Sequence, residues 1–142
     1  MKKFPPFPNL YAISIKGGVR IVQYRDKNLE PAKRIEQAQA LRALCTEHQV
    51  LLLINDDVNL AKISQADGVH LGQNDMPIQQ ARDILGERAI IGITCHDNLD
   101  LAQSAASNGA DYLSFGCFFP SQTKPNAKSA DLSILKQARE QF

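Results

Sequence analysis

Val50-Leu51-Leu52-Leu53-Ile54-Asn55-Asp56-Asp57 sets five apolar residues directly against three polar ones. A run that short and that uniformly apolar reads as a buried strand, and the polar end marks where the chain leaves the sheet. Val58–Ser64 continues with helical spacing, and Gly68–Leu71 is a second short strand. Strand, helix and strand in so few residues make a parallel β-α-β unit. The pattern extends both ways. Strands are expected at Leu10–Ile15, Val19–Tyr24, Ala89–Thr94 and Tyr112–Gly116 as well. Between Tyr24 and Val50, Pro31 suits a first helical turn, and Ile35, Ala38, Leu41, Leu44 and Cys45 recur on one face. Further helices are expected at Pro77–Leu85, Leu99–Ser107 (stopped by Gly109) and Leu132–Gln141. The sum is an α/β fold of about six parallel strands, covered on both faces, in one domain over residues 1–142. One junction resists it: Lys16-Gly17-Gly18 is too short for a crossover of a dozen or more residues. Leu10–Ile15 therefore pairs as a hairpin or lies elsewhere.

Composition narrows the function. With 44% hydrophobic and 22% charged residues, the chain is ordinary globular material. A net charge of +1 leaves no general footprint for nucleic acid or an anionic membrane. No apolar run approaches the ~20 residues of a membrane span. Met1-Lys2-Lys3 resembles the start of a signal peptide, but Pro5, Pro6 and Pro8 interrupt the segment before any apolar core can form. Cys45, Cys95 and Cys117 form no metal-like spacing and read as reduced, mostly buried thiols, which places the chain in the cytoplasm.

Polar residues gather where strands hand over to loops. Alternation sends Gln23, Arg25 and Lys27 to one face, a set suited to a polyanion. Asp56 and Asp75 come after successive strands, Asp75 on the same alternating face as Val69 and Leu71, and two carboxylates beside cations suit one magnesium ion. Plain structural alternatives are a helix cap at Asp56 or Asp57 and a turn at Asn74-Asp75-Met76-Pro77. Cys95 and His96 point to opposite faces, which argues against a coupled nucleophile, and His70 is expected to be structural. Ser121, Thr123 and Lys124, bounded by Pro120 and Pro125, resemble a phosphate clamp. All of these lie at carboxyl ends of parallel strands, the ligand edge of barrels and open sheets alike.

Five ordered motifs carry a family resemblance. They are Val22-Gln23-Tyr24-Arg25-Asp26-Lys27, Leu53-Ile54-Asn55-Asp56-Asp57, Gly68-Val69-His70-Leu71-Gly72-Gln73-Asn74-Asp75, Ile91-Gly92-Ile93-Thr94 and Pro120-Ser121-Gln122-Thr123-Lys124. In order and spacing the chain resembles the thiamine phosphate synthase/TenI family from Gly18 to Lys124. The resemblance implies a TIM-type (β/α)8 barrel. It also implies a transferase that joins hydroxymethylpyrimidine diphosphate to a thiazole phosphate with release of diphosphate. It assigns Gln23, Arg25, Lys27, Asn55 and Lys124 to the diphosphate, with Arg25, Lys27 and Lys124 as the catalytic cations. Asp56 and Asp75 would bind Mg²⁺, Thr94 would line the diphosphate and pyrimidine region, and Ser121 and Thr123 would reach the thiazole phosphate.

Against that pattern, a complete eightfold barrel rarely fits below ~200 residues. Strands seven and eight are expected to be absent, leaving an incomplete barrel with an exposed edge. Self-association or a partner chain covering that edge is the expected remedy, with phosphorylated small molecules as the ligands. Two other functions stay open: a non-catalytic diphosphate- and magnesium-binding regulatory module, and a TenI-type thiazole tautomerase with His96 as proton carrier.

Overall fold

The computed structural model describes residues 17–119 and 129–142. Five strands form one parallel sheet in the order β1-β2-β3-β4-β5: β1 Ile21–Tyr24, β2 Leu51–Asn55, β3 Gly68–Leu71, β4 Ile90–His96 and β5 Tyr112–Phe115. Helices separate them: α1 Pro31–Glu47, α2 Val58–Ser64, α3 Ile78–Leu85, α4 Leu99–Ser107 and, after β5, α5 Ser133–Gln141. The count of strands is five among the described residues rather than about six, because Leu10–Ile15 lies outside them. The expected elements fall within two residues of their places elsewhere.

The register explains which residues are buried. Val22 pairs with Leu52 and Tyr24 with Ile54, and on the next strands Val69, Leu71, Ile91 and Ile93 share that face. All eight belong to a single core with Ala38, Leu41 and Cys45 of α1, Val58 and Ala61 of α2, Ala81 of α3 and Ala102 of α4. Burying so many branched side chains supplies the driving force for docking the helices. The opposite face differs from the expectation of strands covered on both sides. It carries Ile21 at 52% exposure, Leu51 at 37%, and the polar side chains of Gln23, Asn55, His70, Thr94 and Ser114. An uninterrupted apolar run was a poor guide here, because β2 alone has it; β3, β4 and β5 break it on their second face.

Two acidic residues fasten the amino-terminal edge in the same way. The Asp67 carboxylate accepts the Leu52 N–H at 2.8 Å and pairs with Arg42 of α1. The Asp111 carboxylate accepts the Ile91 N–H at 2.7 Å and pairs with Arg82 of α3 at 2.8 Å. Each comes after an alanine and opens a strand, so an Ala-Asp pair at a strand start ties its neighbour strand to an earlier helix. Leaving either backbone N–H unmet at a sheet edge would cost free energy that these carboxylates recover.

Candidate active site

At the carboxyl edge, each strand end delivers a polar group by a different local device. β2 runs out through Asn55 into Asp56, whose N–H still donates to the His70 carbonyl at 2.8 Å. Asp56 then adopts φ +63°, a left-handed conformation that an aspartate tolerates better than most residues. That turn separates its carboxylate from the next one. Asp57 caps α2, its Oδ1 accepting the Leu60 N–H at 2.9 Å, while its Oδ2 pairs with Arg34 at 3.0 Å. The capping alternative therefore holds for Asp57 and leaves Asp56 available for chemistry.

Asp56 and Lys27 form an ion pair at 2.9 Å. Burial pushes the Asp56 carboxyl up, but the Lys27 ammonium, a hydrogen bond with Asp75 and the charge of Arg25 together hold it below the ordinary carboxylate range. Asp75 sits in a turn, its Oδ2 accepting the Gly72 N–H at 2.7 Å, so the turn alternative holds for it. Arg25, Lys27, Arg34, Asn55 and Asp56 line one cleft of about 460 Å³. Gln23 Nε2 donates to Asn55 Oδ1 at 3.0 Å and ties the ends of β1 and β2 together.

The structure thus brings together Gln23, Arg25, Lys27, Asn55, Asp56 and Asp75. The route differs from simple alternation. β1 ends at Tyr24, so Arg25 and Lys27 belong to the loop after it, and Asp75 is placed by its turn rather than by continuing the face of Val69 and Leu71. Thr94 stands on β4 with its hydroxyl 2.7 Å from His70 Nε2 and its carbonyl accepting from Gln73 at 2.6 Å. Ser121, Thr123 and Lys124 lie outside the described residues. Arg34, absent from the sequence-derived set, joins the cleft from the first turn of α1, with its Nε buried and without a hydrogen-bond partner. Its only sequence signal was position, one turn beyond Pro31.

Nucleophilic chemistry finds little support. Burial pushes the Cys45 and Cys95 thiols up, disfavouring the thiolate. Strict alternation does not reach His96, because a register shift between Thr94 and His96 and φ +53° at His96 interrupt it; Cys95 is buried and His96 exposed. For a metal, Asp56 and Asp75 offer hard oxygen donors within hydrogen-bond reach of each other. Among the described residues no group of three or more His, Cys, Asp or Glu side chains is placed to hold one. Two carboxylates nevertheless fit magnesium, which completes its octahedron with phosphate oxygens and water.

A parallel α/β fold with a cleft of interleaved cations and carboxylates at its carboxyl edge defines the class. The sequence profile described as thiamine monophosphate synthase matches residues 6–142, and the chain belongs to that family. A thiamine-phosphate synthase of Thioalkalivibrio sulfidiphilus is 55% identical over 126 residues, 89% of this chain and 60% of that protein. One from Saccharophagus degradans is 53% identical over 130 residues, 92% of this chain and 60% of that protein. Thiamine phosphate pyrophosphorylase from Pyrococcus furiosus superposes with a TM-score of 0.83 at 34% identity, over 95% of this chain and 65% of that one. The five parallel strands form a half-barrel like part of that structure. The chain spans about 60% of the length of the synthases it matches. Among the described residues no helix is long and apolar enough to cross a membrane.

Proposed function

We propose that the chain acts as a thiamine phosphate synthase-type transferase, joining hydroxymethylpyrimidine diphosphate to a thiazole phosphate. The observation that carries this reading is the convergence of Lys27, Arg25 and Asp75 on Asp56. Fixed cations interleaved with carboxylates suit a diphosphate better than a monophosphate, which favours the transferase over a tautomerase.

In this reaction the pyrimidine methylene–oxygen bond breaks and its electron pair leaves with the diphosphate. The thiazole nitrogen then forms the new carbon–nitrogen bond. Arg25 and Lys27 face the oxygens on which negative charge grows, so they bind the transition state more strongly than the ground state. Asn55, held by Gln23, supplies an amide on the same edge. Lys124 is proposed as a third cation, with Ser121 and Thr123 toward the thiazole phosphate. Bound at Asp56 and Asp75, magnesium would supply further charge neutralisation to the diphosphate. Holding both rings in one cleft contributes through proximity, and no enzyme nucleophile is required.

The five strands are read as part of a TIM-type barrel in a cytoplasmic enzyme, a single domain whose open edge is covered by self-association or a partner chain. Exposed Ile21 at 52% and Leu51 at 37% support a covered face. The purified protein is expected to have the solution mass of an assembly, and the mass of one chain would contradict this part of the reading.

A product assay with both substrates and magnesium tests the function. Thiamine phosphate and diphosphate should form in equal amounts. Binding of the pyrimidine diphosphate without turnover would overturn the transferase in favour of the regulatory module.

A further inference from the structure

Asp56 owes its place in the cleft to a backbone shape that few residues hold unaided. Its own N–H donates to the His70 carbonyl at 2.8 Å and keeps it attached to β3. The next N–H, that of Asp57, turns back onto the Asn55 carbonyl at 2.8 Å. This closes a three-residue turn with Asp56 at its centre. With φ +63° at Asp56, a turn of that kind is rare and strained. A strained residue persists where its surroundings over-determine it.

Here the surroundings act through the Asp57 side chain. Its Oδ1 accepts the Leu60 N–H at 2.9 Å, and its Oδ2 accepts from Arg34 Nη2 at 3.0 Å. One oxygen ties Asp57 to α2 and the other ties it to the first turn of α1. Both helices dock on the same core, so neither anchor moves freely. The Arg34 backbone is fixed as well, its N–H donating to the Glu30 carbonyl at 3.0 Å. Arg34 and Asp57 are only 25% and 32% exposed, where solvent and salt screen an ion pair less than at the open surface. Clamped on both oxygens, Asp57 leaves the turn before it no slack to unwind.

We infer that Arg34 and Asp57 are positioning residues whose ion pair holds the Asp56 turn closed. The Asp56 carboxylate is thereby kept in the cleft for a magnesium–diphosphate ligand. The identity of that ligand rests on the transferase reading; the holding of the turn does not.

Hydrogen exchange in the full chain reads the turn with no ligand present. In Arg34→Met the Asp57 amide should exchange about tenfold faster, while amides within β2 and β3 keep their rates. Calorimetry with inorganic diphosphate in magnesium then compares Arg34→Met, Asp57→Asn and the double variant. Asparagine keeps an oxygen for the Leu60 N–H and loses the charge that Arg34 meets. Each single change should weaken binding about tenfold, and the double change no more than either alone. A direct grip of Arg34 on the anion gives the opposite pattern: losing the cation weakens binding, and losing the Asp57 charge strengthens it. Tighter binding in Asp57→Asn, losses that add in the double variant, or an unchanged Asp57 exchange rate in Arg34→Met overturns the inference. A parent that does not bind diphosphate refutes the transferase reading, and the exchange rates still decide the clamp.

Discussion

Asp75→Ala is expected to abolish the magnesium-dependent part of diphosphate binding while the fold survives. In the folded chain the Asp75 carboxylate accepts one backbone N–H, from Gly72. Losing that bond costs about 1 kcal/mol, too little to unfold a domain of this size. Binding is another matter. Residues that merely support a metal ligand are worth roughly 10–100-fold in affinity, so one of two direct ligands should cost at least about a hundredfold. Asp75→Asn separates charge from shape, since its amide oxygen can still accept from Gly72. It should fold like the parent and bind like the alanine variant. Calorimetric titration with diphosphate, with and without magnesium, reads both effects. A magnesium enhancement that persists in Asp75→Ala would remove Asp75 from the metal site.

The largest loss of stability is expected from a single methyl group. Gly68 pairs with Leu53 on one side and Ile90 on the other, and a Cβ there would overlap the Ile90 backbone carbonyl. Backbone in the middle of a sheet has no rotamer to escape into, so β3 and β4 would have to separate. Overpacking of a core typically costs about 1–3 kcal/mol, and Gly68→Ala should lie at or beyond the top of that range. Gly18 offers the contrast: it has φ +90°, and apart from its chain neighbours no atom of the described residues lies within 4 Å of an added Cβ, so Gly18→Ala meets backbone strain without a clash among them. Denaturant unfolding measures both. If Gly68→Ala stays within about 1 kcal/mol of the parent, the pairing of β3 with β4 is wrong.

Particular residues mark how far the sequence could be read. The alternation of short apolar runs with helical spacing located every described strand and helix, because one face of each strand and one stripe of each of α1 to α4 enter the same core. The strand ends were legible as a place but not as a geometry. Alternation carried past Tyr24 and Leu71 assumed extended backbone, whereas Arg25–Lys27 and Asp75 are set by loops. Asp56 and Asp57 could not be told apart before the left-handed turn at Asp56 gave one to the cleft and the other to the α2 cap. Arg34 reads as a solvated helix residue until its neighbours are known. His70, expected to be structural, is hydrogen-bonded to Thr94 and Tyr112, 24 and 42 residues away, which only strand register brings to it. The Ala-Asp pairs at 66–67 and 110–111 are visible as a repeat, yet nothing local says that each reaches an arginine on an earlier helix. The barrel, its covered edge and the thiazole half of the site remain proposals built on the family.

The central claim is that Asp56 and Asp75 hold magnesium against a diphosphate gripped by Arg25 and Lys27. Titrating the unmutated chain with inorganic diphosphate, in magnesium and then in chelator, tests it most directly. Affinity should be at least about a hundredfold tighter in magnesium. Equal affinity in the two conditions would contradict it.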